Sequence, residues 1–197
     1  MSFYHSTRSG ANSVTSKQAI LAGIAPDGGL YVSDELGEKH LSLDVVCGQT
    51  YHETARLVLG TLLDDYTGDE LARCVEAAYG PQWDAPGICP VTPLGTDWLL
   101  ELYHGPTCAF KDVALQMLPQ LMGVARAADG EKIMIVTATS GDTGKAALDG
   151  FSGVGGMGVT VFYPAGKVSD IQRLQMVTQL GGNVAVCAVN GTFDDCQ

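Results

Sequence analysis

Lys132-Ile-Met-Ile-Val-Thr-Ala-Thr-Ser-Gly-Asp-Thr-Gly-Lys-Ala-Ala-Leu148 decides the fold. Its first six residues form an apolar, β-branched run that reads as a strand. A Ser/Thr/Gly-rich turn follows from Ala138 to Lys145, and helical spacing runs from Thr143 to Phe151. The same alternation continues outward. Gly158–Tyr163 reads as a strand, and Ser169-Asp-Ile-Gln172 has capping-box spacing that opens a helix stopping at Gly181-Gly182. Val184–Val189 is a further strand, and 192–197 has the look of a first helical turn. Upstream, Trp98–Tyr103 reads as a strand and Lys111 to about Ala128 as a helix that Pro119 interrupts by a kink or a second start. Strands alternating with helices predict an α/β fold with parallel pairing through right-handed crossovers. Near-continuous apolar strands fit a sheet covered on both faces, that is, three αβα layers. Ligands of such sheets sit beyond the carboxyl ends of the strands, which singles out two turns, 104–112 and 138–145.

The first eighty residues read differently, as mainly helical. Thr15 to Gln18 and Thr67 to Glu70 are capping boxes, and Gly23 and Gly80-Pro81 are stops. Apolar residues from about Leu43 to Leu63 recur at helical spacing, and Ala25-Pro-Asp-Gly-Gly29 is turn chemistry before a short strand at Leu30–Val32. Residues 82–97 hold Pro86, Pro90 and Pro93 with little periodicity. The expected organisation is therefore a helical domain over 1–81, a linker over 82–97 and an α/β domain over 98–197.

Composition narrows the function classes. Twenty-two acidic residues face 11 basic ones, for a net charge of −11, which argues against nucleic-acid partners. At 46% hydrophobic residues the chain can build a core, yet no apolar run approaches the ~20 residues of a membrane span. The start, MSFYHSTRSG, lacks the basic and apolar regions of a signal peptide. The six cysteines include no C-x-x-C pair, so a metal site is not expected and a reduced cytoplasmic setting is.

Lys111 falls near a helix start, where the partial positive charge of the helix end disfavours an ammonium. The neutral amine is the form that attacks a carbonyl. A plain surface lysine is the alternative. Asp112 suits a first helical turn, and His104 is either a site residue or a satisfied loop side chain. In the second turn, Ser140, Gly141, Thr143 and Gly144 present backbone N–H groups suited to a phosphate or carboxylate, or simply begin a helix. A nucleotide P-loop is excluded, since Thr139 occupies its first glycine position and Ala146 its Ser/Thr position. Asp142 in an anion cradle points to a hydrogen-bonding role on a ligand, or to a bound group that is not simply an anion.

GPTCAFKD at 105–112 and ATSGDTGKAAL at 138–148 together resemble the threonine synthase family of fold-type II pyridoxal-phosphate enzymes. APDGGLYV, FYPAGKVSDIQRLQM and GTFDDCQ resemble the same family, collinearly and over nearly the whole chain. The resemblance implies pyridoxal 5′-phosphate as cofactor, bound as a Schiff base by Lys111, with Asp142 near its ring hydroxyl. It implies that Thr139, Ser140, Gly141 and Thr143 hold the substrate carboxylate, with Thr107 and Asp112 in support. The reaction implied is conversion of O-phospho-L-homoserine and water to L-threonine and phosphate. Lys111 would move the α and β protons, phosphate would leave from the γ carbon and water would add at the β carbon.

Family members continue past the equivalent of Gln197, and their glycine-rich cofactor-phosphate loop lies in that further part. Gly153-Val-Gly-Gly-Met-Gly158 is no substitute, because it precedes a strand and so lies at the wrong sheet edge. The expectation is thus an amino-terminal portion that carries the lysine without a complete site, is inactive alone, and self-associates through an uncovered apolar face. The alternatives are another fold-type II lyase or dehydratase, or a non-catalytic chain.

Overall fold

The computed structural model describes residues 2–10, 13–126 and 130–197. The chain divides into two compact units. One comprises the residues before Pro81 with helical residues from Gln120 on; the other comprises Pro81–Pro119 and the part that runs to Gln197.

In the first unit a short antiparallel pair, β1 (Tyr4–Ser6) and β2 (Tyr31–Ser33), flanks helix α1 (Ser16–Ala22). The APDGG turn has a defined job there. Asp27 accepts from Ser6 Oγ at 2.6 Å and from the Gly29 amide at 2.9 Å. The Ser6 hydroxyl is the main reason its carboxyl is held down at about 2. The helical stretch expected over 43–63 is two helices, α2 (Leu43–Val46) and α3 (Tyr51–Leu62). Gly48, at φ 83°, ends the first, and Thr50 starts the second with a full capping box. Helix α4 (Gly68–Ala78) packs on α3 and buries Leu71, Cys74, Val75 and Ala78, one stripe of an amphipathic helix.

In the second unit, residues 82–97 carry β3 (Val91–Leu94), which pairs with β4 (Asp97–Leu100) as an antiparallel hairpin. The strand expected over 98–103 in the parallel sheet is therefore corrected to a hairpin arm ending at Leu100. The two-residue turn at Gly95-Thr96, with Gly95 at φ 63°, folds it back on β3. The break expected at Pro119 is a second start: the helical stretch from Lys111 is α5 (Asp112–Leu115) followed by α6 (Leu118–Arg126). Pro119, lacking an N–H and tolerated only in a first turn, begins the second helix. The expected end near Ala128 lies outside the described residues.

The remainder alternates as expected: β5 (Ile133–Ala138), α7 (Asp142–Phe151), β6 (Met157–Pro164), α8 (Asp170–Val177), β7 (Val184–Val189) and α9 (Phe193–Cys196). The strands form one parallel sheet in the order β5-β6-β7, with Ile133 opposite Met157 and Val159 opposite Val184. Met157, Val159, Val161 and Tyr163 of β6 are buried, as are Ala146, Ala147, Leu148 and Phe151 of α7, which packs on β6. Among the described residues the alternate positions Met134 and Val136 of β5 stay open, at 61% and 65% exposure. In the first unit, Tyr66 donates its buried hydroxyl to the Leu121 carbonyl of α6 at 3.0 Å. Among the described residues no helix is long and apolar enough to cross a membrane.

Candidate functional site

The 104–112 turn is wound around Asp112, whose side chain is fully buried. Its carboxylate accepts from the Thr107 amide at 2.8 Å and from Thr107 Oγ1 at 2.6 Å. Burial pushes the carboxyl up from its ordinary value, and the Thr107 hydrogen bonds oppose that rise. Gly105 lies so close that a β-carbon there would stand 2.5 Å from Asp112 Oδ2. Cys108 takes a left-handed conformation, φ 58°, to close the turn. This winding delivers Lys111 at the N-cap of α5, with no side-chain capping bond and 27% of its side chain exposed. Its Nζ sits 4.1 Å from the centre of the Phe110 ring and 3.5 Å from Asp142 Oδ2.

The 138–145 turn leaves the carboxyl end of β5 and enters α7, the position expected of a ligand-facing loop in a parallel sheet. Thr139 is buried, and its hydroxyl accepts from the amides of Gly141 and Gly144, each at 3.0 Å. Those two donors serve the turn itself, while Ser140 is exposed and Thr143 half-buried. Gly144 is demanded by packing, since a β-carbon would meet Thr139 Cγ2 at 2.4 Å and Val161 Cγ1 at 2.8 Å. Asp142 opens α7. Its own backbone N–H, then Lys111 and Gln172, hold its carboxyl below the ordinary carboxylate value.

The two turns meet because α5 packs against α7, with Gln116 Nε2 donating to Asp149 Oδ2 at 3.0 Å. This brings Lys111 and Asp142 together, residues that the sequence alone proposed on separate loops. His104 is engaged elsewhere. Its Nδ1 lies 2.5 Å from Asp84 Oδ1 and its Nε2 2.7 Å from Glu101 Oε2. The two carboxylates, Glu101 first, raise its pKa. Among the described residues no cluster of three His, Cys, Asp or Glu side chains is placed to hold a metal ion.

Sequence reading missed Gln172 as a site neighbour. The Ser169 box is only half made. Ser169 Oγ accepts from the Gln172 amide at 3.2 Å, but the Gln172 side chain turns to Asp142 Oδ1, 2.9 Å away. The available signal was the box itself, which placed Gln172 in the first turn of a helix following a strand end.

A family model described as the threonine synthase N terminus matches residues 3–79. The chain is 40% identical to the threonine synthase of Pseudomonas aeruginosa, over 98% of this chain and 42% of the relative. To that of Methylobacillus glycogenes it is 38% identical, over 98% of this chain and 43% of the relative. Its fold is similar to a pyridoxal-phosphate-bound threonine synthase from Brucella melitensis, with a TM-score of 0.90 and 38% identity. That match covers all of this chain and 43% of the other. It is also similar to threonine synthase from yeast, with a TM-score of 0.89 and 31% identity over 99% of this chain and 42% of that one. The chain spans about two-fifths of the length of the curated relatives it matches first.

Proposed function

We propose, for a chain whose sequence and fold are those of the amino-terminal portion of the threonine synthase family, that it supplies the lysine-bearing side of a pyridoxal-phosphate lyase site. The reaction of that site is conversion of O-phospho-L-homoserine and water to L-threonine and phosphate. The observation that carries the reading is the Lys111–Asp142 pair at the carboxyl end of β5, 3.5 Å between Nζ and Oδ2.

The donor set fits the cofactor at its aldehyde end. A partly exposed primary amine would bond the carbonyl carbon, and an ionised carboxylate beside it would accept from the ring hydroxyl. When bound, the cofactor supplies an electron-withdrawing ring. This chain's residues do the rest. Lys111 Nζ, once free of the cofactor and neutral, takes the α proton of the substrate and carries protons at the β carbon. Asp142 keeps that amine within reach. The Ser140 and Thr143 side chains, and the backbone of the 139–143 turn, bind the substrate carboxylate. Thr139 acts by holding the turn in shape, and Thr107 with Asp112 by presenting Lys111.

The test is reductive trapping. The protein is incubated with pyridoxal phosphate, reduced with borohydride and digested, and the modified peptide is mapped. The dominant adduct is expected on Lys111 and lost in Lys111→Ala. A dominant adduct on Lys132 or Lys167 overturns the assignment. For the substrate, phosphate release from O-phospho-L-homoserine by a full-length protein containing this chain is compared with turnover of serine and threonine. Turnover of only the latter two points instead to a dehydratase of the same fold type.

A further inference from the structure

We propose that Gln172 is a positioning residue of this site: its side-chain amide, locked by Ser169, holds the Asp142 carboxylate facing Lys111. The inference rests on the reading above that Lys111 and Asp142 form the reactive pair. Three observations carry it. Gln172 Nε2 donates to Asp142 Oδ1 at 2.9 Å, leaving Oδ2 for Lys111. On the other side Ser169 Oγ donates to Gln172 Oε1 at 3.0 Å, so the amide has one satisfied orientation, with NH2 toward Asp142. Finally, Gly141 makes room for it. A β-carbon on Gly141 would stand 2.3 Å from Gln172 Nε2 and 2.7 Å from its amide carbon. The glycine before Asp142 and the glutamine of α8 are thus fitted to one another, across 31 positions of sequence.

A carboxylate at a helix start rotates between its backbone amide and solvent unless a second donor fixes it. The charged group that faces Asp142 is Lys111, from the start of α5. Gln172, from α8, is neutral, and the other donor is Asp142's own backbone N–H. With Oδ1 tied to α8, the free oxygen points at the amine whatever the state of the lysine.

A plain helix-capping role for Gln172 is the competing explanation, and Gln172→Glu separates the two. Glutamate is at least as good as glutamine at the third position of a capped helix, but it offers Asp142 a carboxylate in place of a donor. Gln172→Met removes the donor without adding charge. The first readout needs no cofactor: the titration of the Asp142 side-chain carboxyl, followed by 13C NMR, with thermal melting measured alongside. Both variants are expected to move the Asp142 midpoint upward by about half a pH unit or more, the threefold change that one ordinary hydrogen bond sets. Below the Asp142 midpoint Gln172→Glu is expected to melt as the parent does, and above it to melt lower by the amount the shifted midpoint sets. The second readout is the Lys111 share of borohydride-trapped pyridoxal phosphate, expected to fall about three- to tenfold in both. An unmoved Asp142 midpoint in Gln172→Glu overturns the proposal, as does a melting temperature lowered in both variants even in acid, where Asp142 is protonated and its shift no longer contributes. If the parent protein itself traps no cofactor on Lys111, the functional reading fails instead, and the Asp142 titration still decides the role of Gln172.

Discussion

Gly150 lies against the Leu115 carbonyl so closely that a β-carbon on it would stand 2.1 Å from that oxygen. The neighbour is backbone and has no rotamer to yield. This contact sets how near α5 comes to α7, and hence how near Lys111 comes to Asp142. Gly150→Ala is expected to destabilise the protein by about 1–3 kcal/mol, the usual range for overpacking. It should also lower cofactor trapping on Lys111. Urea unfolding and peptide mapping check the two halves; an alanine variant with unchanged stability would show that the helices sit further apart.

Thr107→Val removes the hydroxyl that donates to buried Asp112 and leaves the carboxylate one bond short. A loss of about 2 kcal/mol at neutral pH is expected. The pH dependence has a definite sign. Asp112 is raised in the fold, so its contribution is fully present below the ordinary carboxylate value and is lost as pH rises through the raised one. Removing Thr107's bond raises it further. The stability gap between variant and parent should therefore be small in acid and widen toward neutrality, as denaturant titrations at several pH values will show.

His104 joins the end of the hairpin to residue 84 through two carboxylates, and its raised pKa follows from them, Glu101 first. This pairing stabilises the fold below the ordinary imidazole value and is lost as pH rises through the raised one. An NMR titration of the His104 ring should give a midpoint above ~6.5. Glu101→Gln should lower it more than Asp84→Asn does.

Tyr66→Phe removes the buried hydroxyl that donates to the Leu121 carbonyl in the first unit. A cost of about 1–2 kcal/mol is expected, read as a lowered urea midpoint with an unchanged slope.

Local chemistry was readable where neighbours in sequence are neighbours in space. The boxes at Thr15 and Thr67, the strand Ile133–Ala138 and the glycine turn before α7 all follow from residues within a few positions of each other. Strand order is a different matter. Trp98–Leu100 has the composition of a buried strand, yet a glycine at φ 63° sends it into an antiparallel hairpin, and β-propensity does not name the partner. In the site, Lys111 and the 139–143 turn were legible as separate turns. The Asp142–Gln172 bond was not, because the same glutamine satisfies a local capping pattern equally well. Nor does sequence show that the Thr139 hydroxyl is buried and accepts from two amides of its own turn. Only packing distinguishes these uses.

The contact of α5 with α7 also bears on the order of assembly. Lys111 and Asp142 are 31 residues apart, and β5 lies between them. Closing a loop of that length costs entropy that is recovered only once the intervening strand has joined its sheet and α7 has docked. The amine is therefore expected to meet its carboxylate only once β5 and α7 are in place. A chain in which α7 has not docked would hold Lys111 without its carboxylate neighbour, so the pair itself reports that the two turns have come together.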